Sequence, residues 1–256
     1  MGRNWNKMKK LLVRADDLGY SEGINYGIEK SVRDGIIQCV GIMVNMPSVK
    51  HGLKLLEDLN VCYGQHTNIC VGKPITDPAL IPSITNSNGE FKPSNEYRAA
   101  KTDFVVLEEV ILEIEAQYHR FVELTGEKPH YFEGHAVASD NFFKGLEFVA
   151  QKYGLKYSGM PIGELPMEVG NTKVYVGMDS MQLNYDPFKS LKKMIDNAHE
   201  DGCDMFVCHP GYLDAYILKH SSLTTSRPME VEMVCDPQIR EWIKEAEVTL
   251  ITYDEL

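Results

Sequence analysis

The chain has 256 residues, of which 43% are hydrophobic and 25% charged, and its formal net charge is -11 at pH 7. This composition is typical of a globular protein with a sizeable core, and the length suits a single domain over residues 1–256. The acidic balance argues against a nucleic-acid partner, which favours a basic surface. No apolar run approaches the roughly 18 residues of a membrane span, so we expect no membrane association.

The N-terminus and the cysteines predict the compartment. The first ten residues are polar, and the apolar run that follows them is too short for a signal peptide. The six cysteines form no C-x-x-C pair, and three of them lie within apolar, strand-like runs. We therefore expect a cytoplasmic protein with reduced cysteines, rather than disulfides or a thiolate zinc site.

Strand-like and helix-like segments alternate along the chain. Short apolar runs are interpreted as strands, and segments with apolar residues at helical spacing are interpreted as helices. The predicted strands are 11–13, 36–44, 61–69, 129–135, 155–160, 174–178, 205–208 and 248–253. The predicted helices are 21–34, 48–58, 103–125, 139–153, 187–199, 229–235 and 237–247.

This alternation predicts an α/β fold with a parallel sheet and crossover helices. A distorted (β/α) TIM-like barrel with seven or eight mostly parallel strands is favoured over a Rossmann fold, because no G-x-G-x-x-G follows the first strand. Ser139 and Asp103 are each predicted to cap the helix that follows. Loops are predicted at 71–102, 161–171 and 214–227, and we expect the first to form a lid or one wall of a substrate cleft.

Polar side chains recur where the predicted strands end. Asp16 and Asp17 follow the first strand, His66 and His135 end the third and fourth, and His209 ends a late strand. Because the carboxyl ends of parallel strands share one edge of a sheet, we expect these side chains to converge. Two imidazoles and one carboxylate form a facial triad for a divalent cation, and a further acid and histidine suit proton transfer. The pattern indicates metal-assisted hydrolysis of an amide or ester.

Several motifs, in order along nearly the whole chain, carry a family resemblance. They are RADDLGYSEGIN, GIMVNMP, GQHTNI, EGH and CHPGY, followed by a late stretch at residues 227–230. In this order they resemble the YdjC-like carbohydrate deacetylases, also known as the chitooligosaccharide deacetylase family. The resemblance implies a barrel related to the polysaccharide deacetylases. It also implies removal of acetyl from an N-acetylated amino sugar or short oligosaccharide with one bound divalent metal ion.

The resemblance also implies residue roles, carried over by position. Asp17, His66 and His135 would hold the metal, Asp16 would be the general base, and His209 would be the general acid. Residues that would contact substrate or support the site are Arg227, Tyr20, Asn45 and Tyr212.

Three of these supporting residues carry more specific expectations. Arg227 is expected to pair with Asp16 and to hold that carboxylate ionised and oriented. Tyr20 and Tyr212 are expected near the surface, where they either stack against sugar rings or pack under their own loops.

The fourth strand end departs from the family pattern. The family commonly has aspartate, serine, histidine, any residue and histidine there, whereas this chain reads Glu133-Gly134-His135-Ala136-Val137. The ligand histidine is kept, but the preferred sugar is left open. Alternatives are a metal-dependent hydrolase of another amide or phosphoester, and a non-catalytic sugar-binding relative. Zn²⁺ and Mg²⁺ are both left open as the metal, and so is assembly as a homodimer.

Overall fold

The computed structural model describes residues 8–160, 163 and 165–256. Most of the polar N-terminal stretch, residues 1–7, thus lies outside the described residues. The strands are β1 (Lys9–Leu18), β2 (Cys39–Ile42), β3 (Cys62–Thr67), β4 (Tyr131–Gly134), β5 (Met167–Val169), β6 (Thr172–Gly177), β7 (Cys203–Cys208) and β8 (Val248–Leu250). The helices are α1 (Glu22–Arg33), α2 (Val49–Leu55), α3 (Ser94–Ala99), α4 (Leu107–Thr125), α5 (Asp140–Tyr153), α6 (Pro187–Asp196), α7 (Ala215–His220), α8 (Ser226–Cys235) and α9 (Pro237–Glu245). Short 3₁₀ turns occur at Pro78–Leu80 and Tyr253–Glu255.

The eight strands form one sheet in the order β4-β3-β2-β1-β7-β6-β5, with β8 also paired to β1. Every strand pair is parallel except β5 with β6. The order ends at β4 and β5, yet Tyr131 of β4 and Val169 of β5 belong to one buried cluster with Leu12 of β1, so the sheet curls into a barrel that is open on one side. The predicted α/β fold with a distorted, barrel-like and mostly parallel sheet is confirmed.

The two faces of β1 show how the sheet separates its core from its interior. Leu11 and Val13 pack in the core shared with the surrounding helices, whereas Leu12 belongs to a second cluster inside the curled sheet. Successive residues of a strand alternate between faces, so Arg14 and Asp16 continue the interior face of Leu12. The carboxyl end of this interior is therefore charged, whereas its amino end is apolar.

The predicted loop 71–102 is folded against the body of the protein. It contains a 3₁₀ turn and α3, and it contributes buried side chains to a core formed with α4 and α5. These side chains are Ile81, Ile84, Phe91 and Tyr97.

The structure corrects two further loop predictions and one strand prediction. The loop predicted at 214–227 contains α7, because the Asp214 side chain caps it by accepting from the backbone N–H groups of Tyr216 and Ile217 at 3.0 and 2.9 Å. The loop predicted at 161–171 contains β5, and its residues 161, 162 and 164 lie outside the described residues. The strand predicted at 155–160 is wrong, since the pairing there is a single bridge between Tyr157 and Phe132.

The two predicted helix caps have different outcomes. Ser139 caps α5 as predicted, since its hydroxyl accepts from the N–H of Phe142 at 3.1 Å. Asp103 does not cap α4, which begins after Val106. Its carboxylate instead accepts from the Ser139 hydroxyl at 2.9 Å and from the N–H of Asn141 at 2.9 Å.

Among the helices of the described residues, none is both long enough and apolar enough to cross a membrane.

Candidate metal-binding active site

A bulge near the end of β1 lets two consecutive carboxylates face the same cavity. β1 advances from Ala15 to Leu18 while its partner β2 advances only from Val40 to Ile42. The extra residue is accommodated by Asp17, whose φ is 80°. Neighbouring strand residues normally point to opposite faces, and a bulge re-aims one of them. Asp16 and Asp17 therefore lie within β1, rather than after it, and both line the cavity.

Three of the predicted ligands converge as the sequence predicts. The Nε2 atom of His66 lies 3.1 Å from Oδ1 of Asp17 and 2.8 Å from Nδ1 of His135. The third separation, from His135 Nδ1 to Asp17 Oδ1, is 3.2 Å. All three residues are buried.

These atoms fit a divalent cation by spacing. Zinc and magnesium hold nitrogen and oxygen ligands at about 2.0–2.1 Å. Two ligands at right angles around such an ion would lie about 3.0 Å apart, which is close to the three separations between Asp17, His66 and His135.

The hydrogen-bonding pattern also fits a cation. The Nδ1 atom of His66 is hydrogen-bonded to Glu133, so the imidazole hydrogen belongs on Nδ1 and the lone pair on Nε2. That lone pair faces the carboxylate of Asp17 and a ring nitrogen of His135. Acceptors that face one another need a shared proton or a metal ion between them.

Each aspartate has an arginine partner, but not the one predicted. Arg227 donates to Asp17 at 2.7 Å, so the prediction that it pairs with Asp16 is wrong. Arg14 pairs with Asp16 instead, with Nε 2.7 Å from Oδ1 and Nη2 2.8 Å from Oδ2. Arg14 and Asp16 are two residues apart on β1 and share a face, so the alternation of the strand was an available signal.

Glu133, like Arg14, belongs to the site although the sequence did not assign it a role there. It lies on β4, is buried, and contacts both His66 and Arg14, the latter at 3.7 Å. A carboxylate on the outer nitrogen of a ligand histidine fixes the orientation and tautomer of the ring. The sequence feature that could have identified Glu133 is its position two residues before His135, in the motif that departs from the family pattern. Gly41 on the neighbouring strand β2 leaves space for the pair of His66 and Glu133. A Cβ at Gly41 would lie 3.1 Å from the Cβ of His66 and 3.4 Å from Oε1 of Glu133.

At three buried groups of the site, neighbouring charges shift the pKa in the direction opposite to the effect of burial. Burial raises the pKa of Asp17, but Arg227 and His135 outweigh it and hold that pKa well below its usual value. Burial lowers the pKa of His135, but Asp17 reverses the effect and raises it to about 9. The pKa of His66 is likewise raised, against burial, by Glu133 and other carboxylates. The site thus attracts positive charge.

His209 lines the same cavity in a different environment. Burial lowers the pKa of its imidazole to about 4, so the ring is neutral near pH 7. Its Nδ1 atom lies 3.3 Å from the Ser180 hydroxyl, and its backbone N–H donates to Glu230 at 2.7 Å. Among the described residues, Nε2 of His209 has no hydrogen-bond partner and is free to meet a ligand.

The remaining predicted residues are placed differently. Tyr20 lines the cavity but is only 3% exposed, and its hydroxyl donates to the carbonyl of His220 at 3.1 Å, so it packs against α7 and not under its own loop. Tyr212 is exposed and is not part of the cavity wall. Asn45 also lies outside the wall, where its amide donates to the carbonyls of Val71 and Lys73.

The cavity has a volume of about 300 Å³. This is at the lower end of the range for small-molecule sites. One wall comes from the 71–102 segment through Ser94 and Arg98, which agrees with the expectation that this segment borders the cleft. The cavity is also lined by aromatic and apolar side chains, namely Phe143, Tyr157, Met160, Met178 and Met181.

The curled, mostly parallel sheet with an Asp-His-His cluster at its carboxyl edge is an α/β half-barrel, a fold that recurs among solved structures. The model superposes with a TM-score of 0.83 on a structure from Enterococcus faecalis, described as a candidate cellobiose-phosphate cleavage protein, at 20% identity and covering 97% and 98% of the two chains. A CE4 esterase of Streptococcus mutans gives a TM-score of 0.55 at 11% identity, covering 96% of this chain and 87% of that one. Both likenesses concern the fold alone.

The family model for YdjC-like proteins matches residues 10–245, so the chain belongs to the YdjC-like family. A relative from Listeria innocua, named carbohydrate deacetylase 2, is 31% identical over 96% of this chain and 98% of its own length. The family resemblance inferred from the motifs is confirmed.

Proposed function

We propose that the protein removes the acetyl group from an N-acetylated amino sugar or a short oligosaccharide, with a divalent metal ion held by Asp17, His66 and His135. The observation that carries this proposal is the convergence of the three donor atoms, 2.8–3.2 Å apart, beside Asp16 and His209 in one cavity. The name of the Listeria relative supports the substrate class.

The balance of charge in the cavity supports the metal dependence. The carboxylates of Asp16, Asp17 and Glu133 carry three negative charges, and Arg14 and Arg227 carry two positive charges. Once His66 and His135 give up their protons to act as ligands, an excess of one negative charge is left for the cation. A bound divalent ion supplies Lewis acidity toward the acetyl carbonyl and lowers the pKa of water at the site. Zn²⁺ and Mg²⁺ both fit the spacing of the donors.

Asp16 is the general base of this proposal. Its Oδ2 accepts a hydrogen bond from Nη2 of Arg14, and its Oδ1 lies 2.7 Å from Nε as an ion pair without a hydrogen bond of its own, which keeps the carboxylate oriented toward the cavity. Because Asp16 does not belong to the donor triad, it is free to take the proton of the attacking water. A positioned base of this kind is worth roughly 10²–10⁴ in rate.

His209 is proposed to pass a proton to the departing nitrogen, after its neutral ring has taken up the proton that Asp16 removes from the attacking water. Its ring is neutral at rest because burial lowers the pKa to about 4. An imidazolium formed there during turnover is a strong acid, and it gives up its proton readily to the amine. Ser180, which lies 3.3 Å from Nδ1, fixes the ring so that Nε2 faces the substrate.

Acetate release and metal content of two aspartate variants test this division of roles. Asp16→Asn is expected to keep the metal and to lose roughly 10²-fold or more in turnover, because only proton transfer is removed. Asp17→Asn is expected to lose both metal and turnover. Acetate is measured with N-acetylated mono- and disaccharides in the presence of Zn²⁺ or Mg²⁺, and metal content by mass spectrometry. Equal metal occupancy in the two variants, or full activity of His209→Ala, would contradict the proposal.

A further inference from the structure

A second cluster of metal-ligating side chains lies at the opposite end of the curled sheet. One ligand atom each from Cys62, His130 and Asp254 lies within 4.8 Å of the others. Cys62 is the first residue of β3 and His66 is the fifth. A strand rises about 3.3 Å per residue, so the cluster is about 13 Å from the catalytic triad.

Three separate parts of the backbone bring these side chains together. His130 precedes β4, and its backbone N–H donates to the carbonyl of Tyr63 at 2.9 Å. Asp254 lies in the last 3₁₀ turn, which Lys156 anchors by donating to the carbonyls of Tyr253 at 2.6 Å and Asp254 at 3.3 Å. The Nδ1 atom of His130 lies 2.7 Å from the Asp254 carboxylate. The arrangement is therefore set by the fold, and not by loose surface side chains.

The thiol of Cys62 is prepared to act as a ligand. Its pKa is lowered mainly by a hydrogen bond from the thiol of Cys39, its register partner on β2, and further by His130, while burial opposes the shift. Metals bind the thiolate, and a lowered pKa favours that form. The side chains of His130 and Asp254 are 29% and 59% exposed, which gives an ion a path from solvent.

We propose that Cys62, His130 and Asp254 form a second metal site, for a divalent transition-metal ion of the zinc class, separate from the catalytic cavity. A thiolate, an imidazole and a carboxylate suit zinc, whereas magnesium and calcium take oxygen ligands. This site could not be predicted from the sequence, because its residues lie at positions 62, 130 and 254 without the spacing of a zinc motif.

An ion at this site would link the C-terminal turn to the starts of β3 and β4. Binding to the folded protein but not to the unfolded chain stabilises the fold by mass action. Zinc is therefore expected to raise the melting temperature even when the catalytic triad is disabled by Asp17→Asn.

Cobalt(II) titration tests the proposal, because a cobalt–thiolate bond gives a charge-transfer band in the near ultraviolet. The full chain is used without a polyhistidine tag. The band is expected to saturate at one equivalent in Asp17→Asn and by two equivalents in the wild-type protein, whose Asp17-His66-His135 cluster also takes cobalt, and to disappear in Cys62→Ser. Cys39→Ser, which keeps a donor beside Cys62, is expected to retain the band. Cys70→Ser is the matched control for a thiol in the catalytic cavity, and it too is expected to retain the band.

A surface variant guards against misfolding of the buried one. Asp254→Asn changes an exposed side chain and is expected to weaken cobalt binding roughly ten-fold or more, whereas Asp201→Asn, an exposed acid elsewhere, leaves it unchanged. Circular dichroism confirms the fold of each variant. A band that is absent at saturating cobalt, persists in Cys62→Ser, or is lost in Cys70→Ser would overturn the proposal.

Discussion

The backbone at Asp17 decides which way two adjacent carboxylates face. Its φ of 80° lies in the left-handed region, which aspartate tolerates better than most residues. With regular strand geometry, Asp17 would point toward the helices, and the triad would lose its carboxylate. The apolar run Leu11 to Val13 predicted the strand, and Asp16 and Asp17 were identified as acids near its end. The bulge could not be predicted, because it depends on the register between β1 and β2 and leaves no mark in the sequence of β1 alone. The candidate ligands could be predicted from the sequence, whereas the backbone conformation that turns Asp17 toward the cavity could not.

Glu133 provides the first prediction at this scale. Glu133→Ala is expected to weaken metal binding about 10–100-fold, because His66 loses the carboxylate that fixes its ring and tautomer. Glu133→Gln keeps an acceptor for the ring N–H and is expected to lose less. Zinc affinity measured by calorimetry on the metal-free protein checks both variants. Unchanged affinity in Glu133→Ala would show that His66 is positioned without this contact.

Glu230 provides a prediction on pH dependence. It is fully buried and accepts from Tyr185 at 2.8 Å and from the backbone of His209, and burial raises its pKa to about 7. The folded state therefore binds this proton more tightly than the unfolded chain, whose glutamates have a pKa of about 4.3. The free energy of unfolding must then fall as pH rises from about 4.5 to 7. This loss amounts to at most about 4 kcal/mol.

Urea unfolding of wild type and Glu230→Gln between pH 4.5 and 8 measures this contribution. The variant is expected to lack it, so its stability relative to wild type should rise with pH and then level off above about pH 7. Glu232→Gln, on the exposed side of the same helix, is expected to follow the wild-type profile. Parallel profiles for wild type and Glu230→Gln would contradict the assignment.

At the scale of elements, local signals predicted those segments whose ends they mark. α5 was predicted over 139–153, and the residues that cap it are Ser139 and Gly154, the glycine in a left-handed conformation. α7 was missed because it buries only Ile217 and has no apolar periodicity to reveal it. β5 was missed because it has three residues and pairs only with β6. Short elements like these depend on tertiary partners more than on their own pattern.

The contact between Asp103 and Ser139 joins the segment before α4 to the N-terminus of α5 and can be tested by a double-mutant cycle. Ser139→Ala is expected to cost about 1 kcal/mol as a lost cap. Asp103→Ala removes the acceptor that holds both the Ser139 hydroxyl and the N–H of Asn141. Because the two side chains share one network, their combined cost should differ from the sum by about 0.5–1 kcal/mol.

The matched control for this cycle is Asp186, which caps α6 in another part of the molecule. Asp186→Ala with Ser139→Ala is expected to be additive within about 0.5 kcal/mol, because distant caps share no partner. Chemical denaturation of the single and double variants measures both cycles. Additivity of Asp103→Ala with Ser139→Ala would mean that the segment before α4 and the N-terminus of α5 are stabilised independently.

At the scale of the molecule, the interior of the curled sheet connects the candidate site to the chain terminus. Arg14 binds Asp16 with one side of its guanidinium, and its Nη1 atom donates to the hydroxyl of Tyr253 at 2.9 Å. Tyr253 lies in the last turn of the chain and stacks on Tyr131, with ring centroids 3.8 Å apart. Contacts between residues 239 positions apart follow from the closure of the sheet, which explains why local sequence reasoning could not assign Arg14 its partners.

These two stacked tyrosines provide a matched pair of variants. Tyr253→Phe removes the acceptor for a buried guanidinium N–H and is expected to cost about 1–3 kcal/mol of stability. Because Arg14 also orients Asp16, turnover should fall while metal binding is retained. Tyr131→Phe removes a buried hydroxyl that has no hydrogen-bond partner among the described residues, so it is expected to be neutral or slightly stabilising.

Denaturation and acetate release from the same N-acetylated sugars compare the two variants. Both changes remove one oxygen from rings that stack on each other, so lost packing affects them alike. The hydrogen bonds of the Tyr253 hydroxyl separate them, and of its partners Arg14, Ser158 and Met205 only Arg14 leads to Asp16, so turnover is the readout that reports on this link. A larger loss of stability and turnover in Tyr253→Phe would therefore measure the link between the C-terminal turn and the general base. Equal losses in the two variants would show that Arg14 holds Asp16 without help from the terminus.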